Sequence, residues 1–185
     1  MNVFGDDINK ETIVLGGGCF WCTEAVFKML KGVIFVEPGY AGGTKEGPIF
    51  EEVASGETGY AEVVSVKYDP EIISLNNILT VFFATHDPTT KDKQGGDVGS
   101  QYRSIIFYTS EEQKKEAKKF IEKLDLSSKI GKPILTEVRK LDIFYPAEEH
   151  HKNYYKKHPE EAYCQLVINP KLEKVKKNFS NLIHN

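Results

Sequence analysis

The residues best suited to chemistry in this chain are two cysteines that flank an aromatic pair. Cys19 and Cys22 enclose Phe20 and Trp21, and three glycines precede them. Cysteine is nucleophilic as the thiolate, and a Cys-x-x-Cys pair beside a strand–helix unit is a redox signal. The aromatic faces next to the sulfur indicate a substrate with a small apolar group near its reacting atom. We therefore expect redox chemistry at Cys19, with simple core packing as the alternative.

The elements around this pair would position it. The glycines separate a predicted strand at 12–16 from a predicted helix at 21–30, and glycine permits both a sharp turn and close approach of another molecule. Cys19 falls at the first turn of the helix, where free N–H groups and the positive end of the helix dipole lie. We expect this position to stabilise the Cys19 thiolate over the thiol.

A carboxylate stands on a strand whose other residues on the same face are apolar. In the predicted strand at 61–70, alternation places Glu62 on one face with Val64 and Val66. If Glu62 is exposed at a sheet edge, its position requires no functional explanation. A buried Glu62 would have a raised pKa, stay protonated near neutral pH and serve as a proton donor. The strand pattern leaves both possibilities open.

Two further stretches are rich in glycine or polar residues. Residues 39–43 are predicted to form a turn that contains Tyr40, and residues 86–101 form a long polar loop that contains Asp97. Long loops in a compact domain are usually functional or mobile. The remaining periodicity predicts strands at 33–38, 102–108 and 134–141, helices at 74–86, 110–124, 147–158 and 170–182, and extended chain at 163–168.

Bulk composition excludes several classes of protein. The 185 residues fit one domain, 1–185, with 1–10 as a loose N-terminal arm. Three cysteines are too few for a secreted disulfide framework, and a formal net charge of −3 gives no general attraction to nucleic acid or anionic lipid. No apolar run reaches membrane-spanning length, and the N-terminus lacks signal-peptide features. We expect a cytoplasmic protein without nucleic-acid or membrane partners.

Four separated motifs, in this order, resemble the peptide methionine sulfoxide reductase A family. They are Gly-Gly-Gly-Cys-Phe-Trp at 16–21, Gly-Tyr-Ala-Gly-Gly at 39–43, Gly-Tyr-Ala-Glu-Val-Val at 59–64 and Gly-Ser-Gln-Tyr-Arg-Ser at 99–104. The likeness runs from about residue 13 to residue 179. It implies an α+β fold, a two-layer sandwich with a mixed sheet and a ferredoxin-like core. It also implies thiol-dependent reduction of the S epimer of methionine sulfoxide, free or in proteins, which would repair oxidised proteins.

The same resemblance assigns roles to individual residues. Cys19 would be the nucleophile, and Phe20 and Trp21 would form the pocket for the substrate's ε-methyl group. Glu62 would be the acid that protonates the sulfoxide oxygen, and Tyr40 and Tyr102 would donate hydrogen bonds to that oxygen. Asp97 would be an acidic residue of the same site. Gly96 departs from the family pattern, in which an Asn is expected. No metal and no organic cofactor are implied.

The implied chemistry requires a second thiol. Sulfoxide oxygen leaves poorly unless protonated, so an acid must face the nucleophile. Cys19 would become a sulfenic acid, condense with another thiol to a disulfide, and be restored by thioredoxin or a similar dithiol. The candidates are Cys22, one helical turn away, and Cys164, whose Tyr-Cys-Gln context resembles a resolving position in some members. Cys164 is favoured, because Cys22 is expected to point into the core.

Two other functions fit parts of the pattern. A general CxxC thiol-disulfide oxidoreductase would use Cys19 and Cys22, but it leaves the aromatic pair and Glu62 without a task. A metal-binding module would use the cysteines with His150 or His151, since the spacing of the first pair suits zinc. That module lacks a recognised second pair, and a closed zinc site would silence the thiolate.

Overall fold

The computed structural model describes residues 8–185, so most of the expected N-terminal arm (1–7) lies outside the described residues. The strands are β1 (Glu11–Gly16), β2 (Val33–Ala41), β3 (Ala61–Tyr68), β4 (Lys93–Gln94), β5 (Asp97–Val98), β6 (Ile105–Tyr108), β7 (Glu137–Lys140) and β8 (Phe144–Pro146). The helices are α1 (Phe20–Phe27), α2 (Phe50–Ala54), α3 (Leu75–Thr85), α4 (Glu111–Leu126), α5 (Tyr154–Lys157) and α6 (Asn169–Asn178). Between residues 8 and 185, every helix is too short or too polar to span a bilayer.

Six strands form one mixed sheet in the order β7-β6-β1-β3-β2-β8. The β6–β7 pair is parallel, and the other pairs of this sheet are antiparallel. The central order β6-β1-β3-β2, with α1 and α3 as the crossover helices, is that of a ferredoxin-like βαββαβ unit. The predicted α+β fold with a ferredoxin-like core is confirmed.

Strand β3 lies inside the sheet, between β1 and β2, and its two faces meet different clusters. Val64 and Val66 face the main core beneath the helices, whereas Val63 joins a smaller cluster on the opposite face. Burying each of these side chains contributes about 1.5–3 kcal/mol relative to exposure. Glu62 is only 2% exposed. The edge-exposed alternative for Glu62 is therefore excluded.

The predicted turn at 39–43 is wrong in its first half. Gly39, Tyr40 and Ala41 continue β2, where they pair with β3 on one side and with β8 on the other. The chain leaves the strand at Gly42, whose φ of +89° is strained for any residue with a side chain. Sheet pairing on both sides outweighs the local turn preference of the glycines, and it fixes Tyr40 in the buried sheet.

Gly39 is the position at which we expect a side chain to be most disruptive to the sheet. A Cβ there would lie 2.4 Å from both the Phe144 ring and the Tyr145 carbonyl oxygen. Gly39→Ala is therefore expected to lower the free energy of unfolding by about 1–3 kcal/mol, measured by urea denaturation, because β8 must shift. Gly96→Ala is the matched control, since no atom lies within 4 Å of its Cβ and its φ is not positive. Equal urea midpoints for the two variants would contradict the prediction.

The C-terminal third departs most from the sequence-based expectations. The predicted helix at 147–158 is broken, because Asn153 adopts the left-handed conformation (φ +56°) between a 3₁₀ turn at Glu149–His151 and α5. The stretch expected to be extended at 163–168 is instead a π-helical turn, Cys164–Ile168, that runs into α6. Such π turns often occur at functional sites. This one begins directly after Tyr163, which reaches the start of α1.

Candidate active site

The start of α1 carries the nucleophile candidate and binds the acid candidate. The glycine turn ends at Gly18 (φ +98°), and Cys19 is the N-cap residue of α1. The next amide, that of Phe20, donates a hydrogen bond of 3.1 Å to Oε2 of Glu62. A free N–H of the first helical turn thus anchors the Glu62 carboxyl beside Cys19.

Glu62 is held as a proton donor. The pKa of Glu62 is raised to about 8, mainly by burial; the Phe20 hydrogen bond opposes this shift, and the charges of Asp97 and Cys22 add to it. The carboxyl is therefore largely protonated at neutral pH. This arrangement matches the buried alternative for Glu62.

The expectation that the helix start favours a Cys19 thiolate is wrong for the free site. Cys19 is partly exposed, but the protein around its sulfur raises the pKa of the thiol well above its ordinary value, mainly by desolvation and then through the contact with Cys22. The Cys19 side chain makes no capping hydrogen bond to α1. The pKa of Cys22 falls to about 7, chiefly because Cys19 donates a hydrogen bond to its sulfur. The contact between the two thiols therefore raises the pKa of Cys19 and lowers that of Cys22.

Two tyrosines lie near this acid. Tyr40 stands directly opposite Glu62 in the β2–β3 ladder, and its hydroxyl donates to Oε1 of Glu148 at 3.0 Å. Burial and then Glu148 raise the pKa of Tyr40. Burial raises the pKa of Tyr102 to about 12, followed by the charges of Glu62 and Asp97. Both phenols therefore keep their hydrogens at neutral pH and can act as donors.

The aromatic pair after Cys19 is fixed by contacts from the C-terminal third. The Trp21 ring stacks on Tyr154 with centroids 3.6 Å apart and planes 4° apart, and its Nε1 donates to Nδ1 of His151 at 3.2 Å. Phe20 is buried and tilts against Tyr40, with centroids 5.7 Å apart. Trp21 is half-buried, so its ring forms an apolar wall of defined orientation next to Cys19.

His151 belongs to a group with Glu148 and His150 whose potential ligand atoms lie within 4.8 Å of one another. Because an indole N–H can only donate, Nδ1 of His151 must accept from Trp21, and a neutral imidazole then carries its hydrogen on Nε2. Nε2 offers no lone pair to a metal ion in that tautomer. The contact with Trp21 thus disfavours the metal-binding alternative at His151.

Asp97 reaches the site through a residue that the sequence reasoning missed. The loop at 86–101 contains the β4–β5 hairpin, and Asp97 of β5 accepts a 2.8 Å hydrogen bond from the Tyr163 hydroxyl. The hydroxyl oxygen of Tyr163 also lies 3.7 Å from Sγ of Cys22. The ring of Tyr163 meets Trp21 edge-on, with centroids 5.9 Å apart. Tyr163 therefore connects Asp97 with the two-cysteine helix.

The structure gathers the predicted site residues at one place, with Cys164 in the adjoining core. Around the start of α1 lie Cys19, Phe20, Trp21, Cys22, Tyr40, Glu62, Asp97 and Tyr102. Cys164 is fully buried in the main core, where desolvation raises the pKa of its thiol. The sequence reasoning missed Tyr163, Glu148 and His151 as members of the site. The Tyr-Cys stretch was a signal for Tyr163, while Glu148 and His151 had none in their spacing.

Comparisons with known proteins agree with this geometry. Residues 11–183 match the family described as peptide methionine sulfoxide reductase. The peptide methionine sulfoxide reductase MsrA of Sulfolobus acidocaldarius is 54% identical over 169 residues, which cover 91% of this chain and 95% of that protein. Reduced Mxr1 from Saccharomyces cerevisiae superposes with a TM-score of 0.79 at 38% identity, covering 86% of this chain and 91% of Mxr1.

A second Mxr1 structure, solved in complex with Trx2, superposes with a TM-score of 0.57 at 29% identity and covers 80% of this chain and 87% of that one. The family match and the relatives extend over nearly the whole chain. The chain therefore belongs to the peptide methionine sulfoxide reductase family.

Proposed function

We propose that this protein is an enzyme that reduces the S epimer of methionine sulfoxide, free or in proteins, to methionine. The observation that carries the proposal is the hydrogen bond from the Phe20 amide to Glu62, which places a buried, protonated carboxyl beside the nucleophile candidate Cys19. A sulfoxide needs attack at sulfur and protonation at oxygen. A thiol and an acid held by consecutive residues of one helix start meet both needs.

The proposed reaction begins when substrate binds. The Cys19 sulfur attacks the sulfoxide sulfur while Glu62 protonates the oxygen. The hydroxyl passes to Cys19, so methionine leaves with its sulfur reduced and Cys19 becomes a sulfenic acid. Because the pKa of free Cys19 is raised, its thiol loses its proton only during this encounter, and that proton replaces the one that Glu62 gives to the oxygen. Tyr102 and Tyr40 would donate to the developing hydroxyl, and Tyr40 would first have to give up its bond to Glu148.

Substrate handedness follows from three anchors. The ε-methyl group would rest on the Phe20–Trp21 wall, the oxygen would face Glu62, and the sulfur would face Cys19. Three fixed contacts to one tetrahedral sulfur accept one epimer and reject its mirror image. That the accepted hand is S follows from the family resemblance.

After one turnover the enzyme would need an external reductant to regenerate its free thiols. The disulfide formed after turnover would be reduced by thioredoxin or a similar dithiol, in line with the Mxr1–Trx2 complex. The three free thiols suit a reducing compartment, so we propose a cytoplasmic location. We also propose that the chain is a single catalytic domain, because its main core draws residues from Ile13 to Val175.

The experiment that tests the function is a single turnover of each epimer without added reductant. Methionine should form from the S epimer alone, with two thiols lost per methionine. Equal reduction of the R epimer would overturn the stated specificity. No methionine from either epimer, together with rapid reduction of a protein disulfide, would overturn the reductase and leave a general CxxC oxidoreductase.

A further inference from the structure

We propose that Cys22, and not Cys164, is the resolving cysteine, and that the Tyr163 hydroxyl positions its sulfur. This inference rests on the proposed function, because it concerns the fate of the Cys19 sulfenic acid. It reverses the expected preference for Cys164, which rested on Cys22 pointing into the core. Cys22 is indeed only 2% exposed, but its sulfur contacts the Tyr163 hydroxyl. Three observations support it: the spacing along α1, the hydrogen bonds around Cys22, and the desolvation that raises the pKa of the Cys164 thiol.

The spacing places the two cysteines within one helical turn. Cys19 is the N-cap residue, and the Cys22 amide donates to the Cys19 carbonyl at 3.2 Å, so the two residues close one helical turn. Residues three apart in such a turn lie about 5–6 Å apart at Cβ. Small changes in the first turn would bring them to disulfide geometry. The two thiols also interact, since the contact between them raises the pKa of Cys19 and lowers that of Cys22.

The hydrogen bonds around Tyr163 fix the other side of the Cys22 sulfur. A phenol has one hydrogen, and Tyr163 gives it to Asp97 at 2.8 Å. The Tyr163 oxygen, 3.7 Å from Sγ of Cys22, then accepts from the Cys22 thiol. Once Cys22 ionises, the same hydroxyl can turn and donate to the thiolate. Tyr163 therefore contacts the sulfur in both protonation states, which agrees with the pKa of about 7 for Cys22.

Cys164 lacks these features. It is fully buried at the start of the π-helical turn, and burial, followed by the charges of Glu161 and Cys22, raises the pKa of its thiol. A raised pKa lowers the fraction of attacking thiolate.

The resolving step balances without an outside oxidant. The Cys22 sulfur attacks the sulfur of the Cys19 sulfenic acid, an S–S bond forms and the S–O bond breaks. Hydroxide leaves and takes up the proton that the Cys22 thiol released, which gives one water. Cys22 is oxidised and the sulfenic sulfur of Cys19 is reduced to the disulfide level.

The test maps the disulfide in the full chain after one turnover with the S sulfoxide and no reductant. Wild type and Cys164→Ser should both form a Cys19–Cys22 disulfide and lose two thiols. Cys22→Ser should release one methionine but lose one thiol, and leave Cys19 as a sulfenic acid that dimedone traps. Tyr163→Phe should still release one methionine, and its rate of disulfide formation relative to its own rate of methionine release should fall about tenfold below the wild-type ratio, as expected for one lost hydrogen bond.

Other outcomes would overturn the inference. A Cys19–Cys164 disulfide in wild type, or the loss of two thiols by Cys22→Ser, would assign resolution to Cys164. A Tyr163→Phe variant that forms the disulfide at the wild-type rate would remove Tyr163 from the step. If wild type forms no methionine, the proposed function fails separately. Hydrogen peroxide can then oxidise Cys19 directly, and the same mapping decides which cysteine resolves it.

Discussion

Replacing Glu62 with Gln is expected to slow methionine formation by about 10²–10⁴-fold, the usual contribution of a general acid. Gln has nearly the same shape and can still accept the hydrogen bond from the Phe20 amide, but it has no proton of comparable acidity to give the sulfoxide oxygen. Rapid-quench single turnover with the S epimer measures the step directly. The same substitution at the exposed Glu57 is the control and should leave the rate unchanged.

The pH dependence provides a second readout for Glu62. The acid must be protonated, and its pKa is about 8, so the rate conferred by Glu62 should fall as pH rises through 8. The residual rate of Glu62→Gln should lack that fall. A variant rate within threefold of wild type, or an unchanged fall above pH 8 in the variant, would argue against Glu62 as the acid.

The raised pKa of Glu62 also has a consequence for stability. The folded protein keeps this proton up to about pH 8, whereas the unfolded chain releases it near the ordinary value of 4.5. Between these values the native state binds more protons, so the free energy of unfolding declines as pH rises. Relative to wild type, Glu62→Gln should therefore gain stability steadily from pH 5 to pH 8, which urea denaturation at several pH values can measure.

Replacing Cys19 with Ser is expected to lower methionine formation by about 10⁴-fold or more, to the background rate. A serine hydroxyl is a far weaker nucleophile than a thiol, and it cannot hold the oxygen as a sulfenic acid. Cys164→Ser makes the same chemical change in the core and should keep the wild-type rate. Substantial turnover by Cys19→Ser would transfer the nucleophilic role to Cys22, the nearest remaining thiol.

The local sequence pattern predicted where most strands and helices lie, but it did not always predict which of their faces are buried or which strands they pair with. Alternation along β3 correctly placed Glu62 on the face of Val64 and Val66. Whether that face was buried depended on the neighbours of β3 in the sheet, which alternation does not encode. Tyr40 was predicted to lie in a turn because glycines surround it, and pairing with β3 and β8 overrode that local preference.

The electrostatics of the site were the hardest part to predict. The helix-start argument for Cys19 uses only the first turn of α1, while the pKa of its thiol is raised mainly by burial, which the first turn alone does not determine. Contacts of Tyr163 with Cys22 and of His151 with Trp21 join residues far apart in sequence. No periodicity or motif spacing reports such contacts.

The long sequence separation between these contacting residues also determines when the site can become active while the chain is being translated. The Trp21–His151 and Cys22–Tyr163 contacts join residues 130 and 141 positions apart. A nascent chain on the ribosome thus presents both thiols long before the segment that holds Trp21 and Cys22 has been translated. Catalytic competence should therefore arise late and abruptly. A prematurely terminated product that ends before His151 would contain Cys19, Tyr40 and Glu62. It would lack the contacts from His151 and Tyr163 that orient the Trp21 indole and the Cys22 thiol.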